Sequence, residues 1–258
     1  MRLRETAPWL AVLAIAIVCF LAWRWLSAAM FTRNPQYELR RVDISPGYAK
    51  SEREIRDITG LREGVNLFSF RASEVRERLL RTTPNIADVE ISKRLPDAVS
   101  VVVHDRVPVA SLCSPTLALD AGGFVFTLLP RDAERYRSLP RIENGVEPFR
   151  PPAGRTLADA PGTPSGVESR VARALRVVLL CDGPGRSFRL SDIDVSNPVY
   201  LVLLTSDNRI VRLVWEELAD DTAILQCLSM ADETLRDPAS RGKTRFDVIL
   251  SAAKVFAG

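Results

Sequence analysis

Residues 86–103 read IADVEISKRLPDAVSVVV, and their pattern decides the fold of the first half of the chain. Val89 and Ile91 alternate with Glu90 and Ser92. After Leu95-Pro96-Asp97 the alternation resumes, Val99, Val101 and Val103 against Ser100 and His104. Two runs of period two joined by a short turn predict an antiparallel hairpin with one apolar face. The cover for that face lies upstream. Ser51-Glu52-Arg53-Glu54 is a capping box, in which the Ser and Glu side chains each satisfy an otherwise unpaired backbone N–H. The helix it opens puts Ile55 and Ile58 on one face and stops at Gly60. A second helix from about Ser73 carries Val75, Leu79 and Leu80 inward and ends ahead of Pro84. Gly64-Val65-Asn66-Leu67-Phe68 connects the two helices. A strand over Tyr37–Ile44 comes before them, with Leu39, Val42 and Ile44 inward and an irregularity near Arg40-Arg41. Strand, helix, helix, strand, strand makes a compact α+β unit.

Upstream of this unit, Trp9 to Trp23 reads WLAVLAIAIVCFLAW, and the apolar run resumes after Arg24 as far as Phe31. A hydrocarbon core of about 30 Å needs about 20 helical residues. Residues 9–31 suffice, with Trp9, Trp23 and Trp25 near the two ends, where indoles favour the interface. A long Arg24 stem can reach toward a headgroup layer. Two rival readings are a buried core helix and a cleaved signal peptide with Ser27-Ala28-Ala29 as the cleavage site. The flanking charges do not orient the segment: Arg2 and Arg4 against Glu5 stand on one side, and Arg33, Arg40, Arg41 and Lys50 on the other. The tail of residues 1–8 holds too little chain to act on its own side. The N-terminus is therefore expected to be cytoplasmic and the bulk extracytoplasmic.

Downstream, Leu117–Asp120 and Gly122–Phe126 read as two short strands about a glycine turn. Residues 143–165 are rich in Pro, Gly and polar types and predict an exposed loop. A helix follows with Val167, Val171, Leu175 and Val178 on one stripe, stopped by Asp182-Gly183-Pro184-Gly185. Strand runs Phe188–Val195, Val199–Leu204 and Arg209–Trp215 come next, the last two joined by Thr205-Ser206-Asp207-Asn208. A helix from about Asp220 presents Ile224, Leu225, Leu228 and Leu235. Arg245–Leu250 and Lys254–Phe256 read as terminal strands. A sheet that ends in a terminal strand offers unpaired backbone groups to an incoming strand.

Composition points to binding rather than chemistry. A net charge of +3 spread along the chain gives no nucleic-acid footprint. Cys19, Cys113, Cys181 and Cys227 form no CxxC pair and have no His nearby, so neither a disulfide framework nor a zinc site is expected. The one histidine, His104, sits beside Asp105 on the polar face of a strand, a poor fragment of a catalytic triad. No phosphate-cradling loop, GxSxG or HExxH occurs. No enzyme, cofactor, metal or small-molecule substrate is expected.

The β-α-α-β-β order after an apolar anchor resembles a POTRA domain, and the local phrases resemble its version in the FtsQ/DivIB family of bacterial cell division. They are Val42-Asp43-Ile44, Gly64-Val65-Asn66-Leu67-Phe68, and Pro84-Asn85-Ile86 leading to Ile91-Ser92-Lys93-Arg94-Leu95-Pro96. The exit phrase His104-Asp105-Arg106-Val107-Pro108-Val109-Ala110 has Asp105 where the family commonly has Glu. Asp120 to Gly123 resembles the Asp-x-x-Gly hairpin that opens the family's β domain, and Leu139-Pro140 the Leu-Pro after it. Phe246-Asp247-Val248-Ile249 resembles a late apolar-Asp-Leu-Arg phrase, with Ile249 in place of Arg. The resemblance implies a transmembrane helix over 9–31, a POTRA domain over 37–106 and a mixed-sheet β domain with flanking helices over 107–258. It also implies a non-catalytic, single-pass scaffold of the divisome in the inner membrane, which recruits FtsB/FtsL-like bitopic proteins and supports septal wall synthesis. The residues expected to meet the partner are Phe246, Val248, Ile249, Leu250, Val255 and Phe256. The alternatives are a POTRA-type envelope chaperone and a membrane-anchored envelope enzyme.

Overall fold

The computed structural model describes residues 3–32, 34–143, 154–157, 167–183, 185–250, 252 and 254–257. The chain divides into two compact units, Met1–Asp105 and Arg106–Gly258.

The first unit opens with helix α1 (Leu3–Ser27), which continues as a wider π-type turn over Ala28–Thr32. Every residue described from 13 to 26 is exposed. Among the described residues nothing buries the Leu13–Thr32 stretch, which is long and apolar enough to span a bilayer. The Trp9 side chain lies outside the described residues.

The α+β part of this unit holds β1 (Arg41–Ser45), α2 (Glu52–Thr59), α3 (Ala72–Thr82), β2 (Ile86–Arg94) and β3 (Ala98–Asp105). The sheet order is β1-β3-β2, with β1 parallel to β3 and β2 antiparallel to it. The capping box forms: Ser51 N–H donates to Glu54 Oε2 at 2.9 Å, and the Ser51 side chain caps the Glu54 N–H. Gly60 ends α2 at φ 71°, a conformation that suits glycine. Ile55, Leu79 and Leu67 are wholly buried against Val99 and Val101. Burying each such side chain stabilises the fold by about 1.5–3 kcal/mol.

The first strand differs from the sequence expectation. It starts at Arg41 rather than Tyr37, because Pro35 opens a 3-10 turn over Pro35–Tyr37, capped by the Asn34 side chain. Leu39 is still buried, and the N–H groups of Arg40 and Arg41 both reach Asp97 O, at 2.8 and 3.3 Å. That shared acceptor is the irregularity anticipated at this pair.

Among the described residues, the second unit is built on one mixed sheet with two α-helices. Its strands are β4 (Ala110–Leu112), β5 (Leu117–Leu119), β6 (Phe124–Thr127), β7 (Arg141–Glu143), β8 (Arg155–Thr156), β9 (Leu190–Asp194), β10 (Tyr200–Thr205), β11 (Ile210–Val214), β12 (Arg245–Ile249) and β13 (Lys254–Ala257). Helix α4 (Val167–Cys181) precedes β9, and α5 (Asp221–Arg236) links β11 to β12. Among the described residues the strand order is β13-β12-β11-β10-β9-β7-β4-β5-β6-β8. Parallel neighbours need a crossover connection, and β7–α4–β9 and β11–α5–β12 supply two. Both step toward β13 from strands of the same direction, so the right-handed rule puts α4 and α5 on one face. Arg176 of α4 and Asp221 of α5 join them, Nε donating to Oδ1 at 2.7 Å, and this bond holds the Asp221 carboxyl below its ordinary range.

Asp120 organises the β5–β6 turn. Its Oδ1 accepts from the N–H groups of Gly122 and Phe124, both at 2.9 Å, and its Oδ2 accepts from Arg106. Arg106 lies over the Phe124 ring, 3.5 Å from the centroid.

Two further details differ from the sequence reading. Leu225 is exposed on α5, while Cys227 and Ala231 are buried beside Ile224 and Leu228. Within the stretch read as a loop, Glu143 belongs to β7, Arg155–Thr156 pair with β6 and Leu157 is buried. Residues 144–153 and 158–166, the Val167 side chain, Pro184 and Ser251 lie outside the described residues.

Candidate functional site

The ten-stranded sheet ends at β13. Its inner edge pairs antiparallel with β12, Phe246 opposite Ala257, Asp247 opposite Phe256, Val248 opposite Val255 and Ile249 opposite Lys254. Among the described residues no strand pairs with its outer edge. Just past β12, Leu250 N–H donates to Glu217 Oε2 at 2.7 Å.

The six residues expected at the partner surface take different positions. Phe246 (0% exposed) and Val248 (1%) belong to the core under α5, on a strand flanked on both sides by β11 and β13. Leu250 and Val255 are half-buried and pack on the edge of that core. Ile249 is half-buried on the opposite face. Phe256, 55% exposed, stands on that same face at the outermost strand.

This second face carries side chains that the sequence reading did not single out. The registers place Val202, Arg212, Asp247 and Phe256 in one row across β10–β13. Tyr200, on the same face, lies under the Arg212 guanidinium, 4.8 Å from ring centroid to Cζ. Arg212 Nε stands 3.7 Å from Asp247 Oδ1, and both atoms are buried without a hydrogen bond. The signal for these residues was weak. In IVRLV of β11 a lone charge interrupts an otherwise apolar run, which marks a partly covered second face.

The His104-Asp105 pair is pulled apart by its surroundings. His104 Nε2 faces Glu90 Oε1 at 3.3 Å across the β2–β3 ladder. The Asp105 carboxylate instead accepts from the backbone N–H groups of Tyr48 and Ala49, tying down the loop after β1. Burial pushes the Cys181 and Cys227 thiols up to about 11, the range of inert packing groups. No cluster of metal-ligating side chains occurs among the described residues.

An apolar helix long enough to span a bilayer, followed by a β-α-α-β-β unit and a mixed sheet, fits the layout of a membrane-anchored protein with a POTRA-type domain. The family model described as POTRA domain, FtsQ-type, matches residues 39–106. Cell division protein FtsQ of Geotalea daltonii is 33% identical over 91 residues, which cover 35% of this chain and 33% of that protein. Cell division protein FtsQ of Alcanivorax borkumensis is 26% identical over 232 residues, 86% of this chain and 88% of that one. Residues 39–106 thus match an FtsQ-type POTRA domain, and over most of its length the chain is similar to a protein named cell division protein FtsQ.

Proposed function

We propose that this chain is a single-pass scaffold of the bacterial division machinery, anchored in the inner membrane by α1 with its bulk outside the cytoplasm. It works by binding, not by catalysis. Its partners are short bitopic proteins of the FtsB/FtsL kind, and their recruitment supports septal wall synthesis. The observation that carries the proposal is the sheet edge at β13, whose outer side no strand pairs with among the described residues, beside the exposed Phe256 ring. An incoming strand finds main-chain hydrogen bonds along such an edge, and alternate side chains select the partner. The relatives named for cell division support the setting.

The test is capture of FtsB- and FtsL-like proteins by the full chain and by Val255→Pro and Phe256→Ser variants. Proline removes a donor and fixes φ, so Val255→Pro should abolish capture, while Phe256→Ser weakens it. Circular dichroism and protease resistance establish that each variant is folded. Full capture by a folded Val255→Pro variant refutes docking at β13. Orientation is checked separately: alkaline phosphatase fused after Gly258 should be active, and an inactive fusion reverses the assignment.

A further inference from the structure

We propose that the end of the POTRA sheet nearest α1 lies in the lipid headgroup layer, with Phe68 and Leu95 as its contact residues. The proposal starts at the joint. Phe31, at the end of the apolar span, packs edge-on against Phe68 with ring centroids 5.4 Å apart, and Tyr37 completes the cluster 5.1 Å from Phe68. The joint is also bonded. Asn66 Nδ2 donates to Phe31 O at 3.0 Å and to Asn34 O at 3.2 Å, and Asn34 Nδ2 donates to Met30 O at 3.2 Å. The Gly64–Phe68 connector is therefore the receptor for the end of the anchor.

Depth follows from these distances. A bilayer of about 40–45 Å with a core of about 30 Å leaves a headgroup layer of about 5–8 Å on each side. A span that ends at Thr32 puts Phe31 at the inner boundary of that layer, so a ring 5.4 Å away stays within it. Phe68 is 39% exposed, and amphipathic or aromatic rings are favoured at this depth.

The topology brings a second apolar residue to the same end. Strand β1 runs parallel to β3 with Arg41 opposite Ala98, so the β2–β3 turn sits where the chain arrives from the anchor. Leu95 at the tip of that turn is 65% exposed. Lys93, next to the turn, donates through Nζ to Leu67 O and Phe70 O, both at 2.6 Å, which locks the turn to the connector. Exposed apolar tips at one end, beside the exposed Arg40, Arg71 and Arg94, form the pattern of a surface that dips into a headgroup layer. Arg40 faces Asp97 at 3.8 Å and Arg71 faces Glu74 at 3.5 Å, so the apolar tips carry the contact rather than net charge.

The test uses the full chain in phosphatidylethanolamine–phosphatidylglycerol vesicles, on a Cys19→Ala, Cys113→Ala background. Phe68→Cys, Leu95→Cys and Tyr48→Cys each receive a nitroxide. Tyr48, 73% exposed, follows the far end of β1 and is the water reference. Labels at 68 and 95 should collide several-fold less with a water-borne nickel chelate than the label at 48, and more with oxygen. A label at 68 or at 95 as open to nickel as the one at 48 overturns the proposal. Neither outcome depends on whether β13 binds a partner.

Discussion

Phe246 and Phe256 lie on neighbouring strands, and the structure gives them opposite roles that one pair of substitutions can separate. Phe246 is wholly buried, paired with Val211 on one side and Ala257 on the other. Truncating a buried phenylalanine to alanine costs about 3–5 kcal/mol, against a total stability of about 5–15 kcal/mol. With a urea slope of about 1–3 kcal/mol/M, Phe246→Ala should lower the unfolding midpoint of the second unit by about 1 M or more. Trp215 is the reporter. It is buried in the same core, and its Nε1–H donates to Asn197 O at 2.8 Å. Trp9, Trp23 and Trp25 belong to the anchor and add a background that does not move with the transition. Phe256→Ala, more than half exposed in the wild type, should shift the midpoint by no more than about 0.5 kcal/mol equivalent. Partner capture should show the reverse order at temperatures where both variants are folded. An unchanged midpoint for Phe246→Ala together with lost capture would refute the assignment of β12 to the core.

The remaining expectations are local. Glu54 is held near 2, from an ordinary 4.5, chiefly by its bond to Lys50 and then by Ser51. Its contribution is present above pH 4.5 and lost as pH falls toward 2, so Glu54→Gln should flatten the acid limb of first-unit stability in that window, measured by circular dichroism. Asp120→Ala removes an acceptor shared by Arg106, Gly122 and Phe124, and should cost about 2–3 kcal/mol in a denaturant titration. A maleimide at pH 7.5 should leave Cys181 and Cys227 unmodified until urea unfolds the second unit, a result read by mass spectrometry. His104→Ala should leave division intact in a complementation assay; a null phenotype at normal protein level would revive a catalytic role for the His104 face.

What was legible in the sequence is what short-range physics decides. The capping box at Ser51, the αL stop at Gly60 and the β2–β3 alternation each lie within a few residues and appear where they were read. Helix α5 shows the limit of that legibility. Its buried stripe runs Ile224, Cys227, Leu228, Ala231, Leu235, at positions i, i+3, i+4, i+7 and i+11. Leu225 falls about 100° round from Ile224 and faces out. Apolar identity alone favoured Leu225 over Cys227 and Ala231, although small residues are what let a helix lie close on a sheet. Strands β4, β7 and β8 have three, three and two residues, too short for any period to register. They exist because neighbours already in place offer them a ladder, as Ser111 and Leu112 of β4 do for Arg141 and Ile142.

The sequence showed that a terminal strand would offer an edge, but not which of the two last strands that would be. Alternation tells which side chains of a strand share a face, and it did so for Phe246 and Val248. Whether a strand is flanked is a property of sheet order, and sheet order is set by the crossover through α5 that returns the chain beside β11. That crossover makes β12 an interior strand and leaves the edge to β13, the last four residues described. The consequence reaches the choice of experiment. Truncation after Lys243 would strip Phe246 and Val248 from the core as well as removing the edge, so lost capture would report unfolding. A proline at Val255 alters one half-buried side chain at the rim of that core and leaves Phe246 and Val248 in place, so with a folding check it tells a missing strand partner from a missing core where truncation does not.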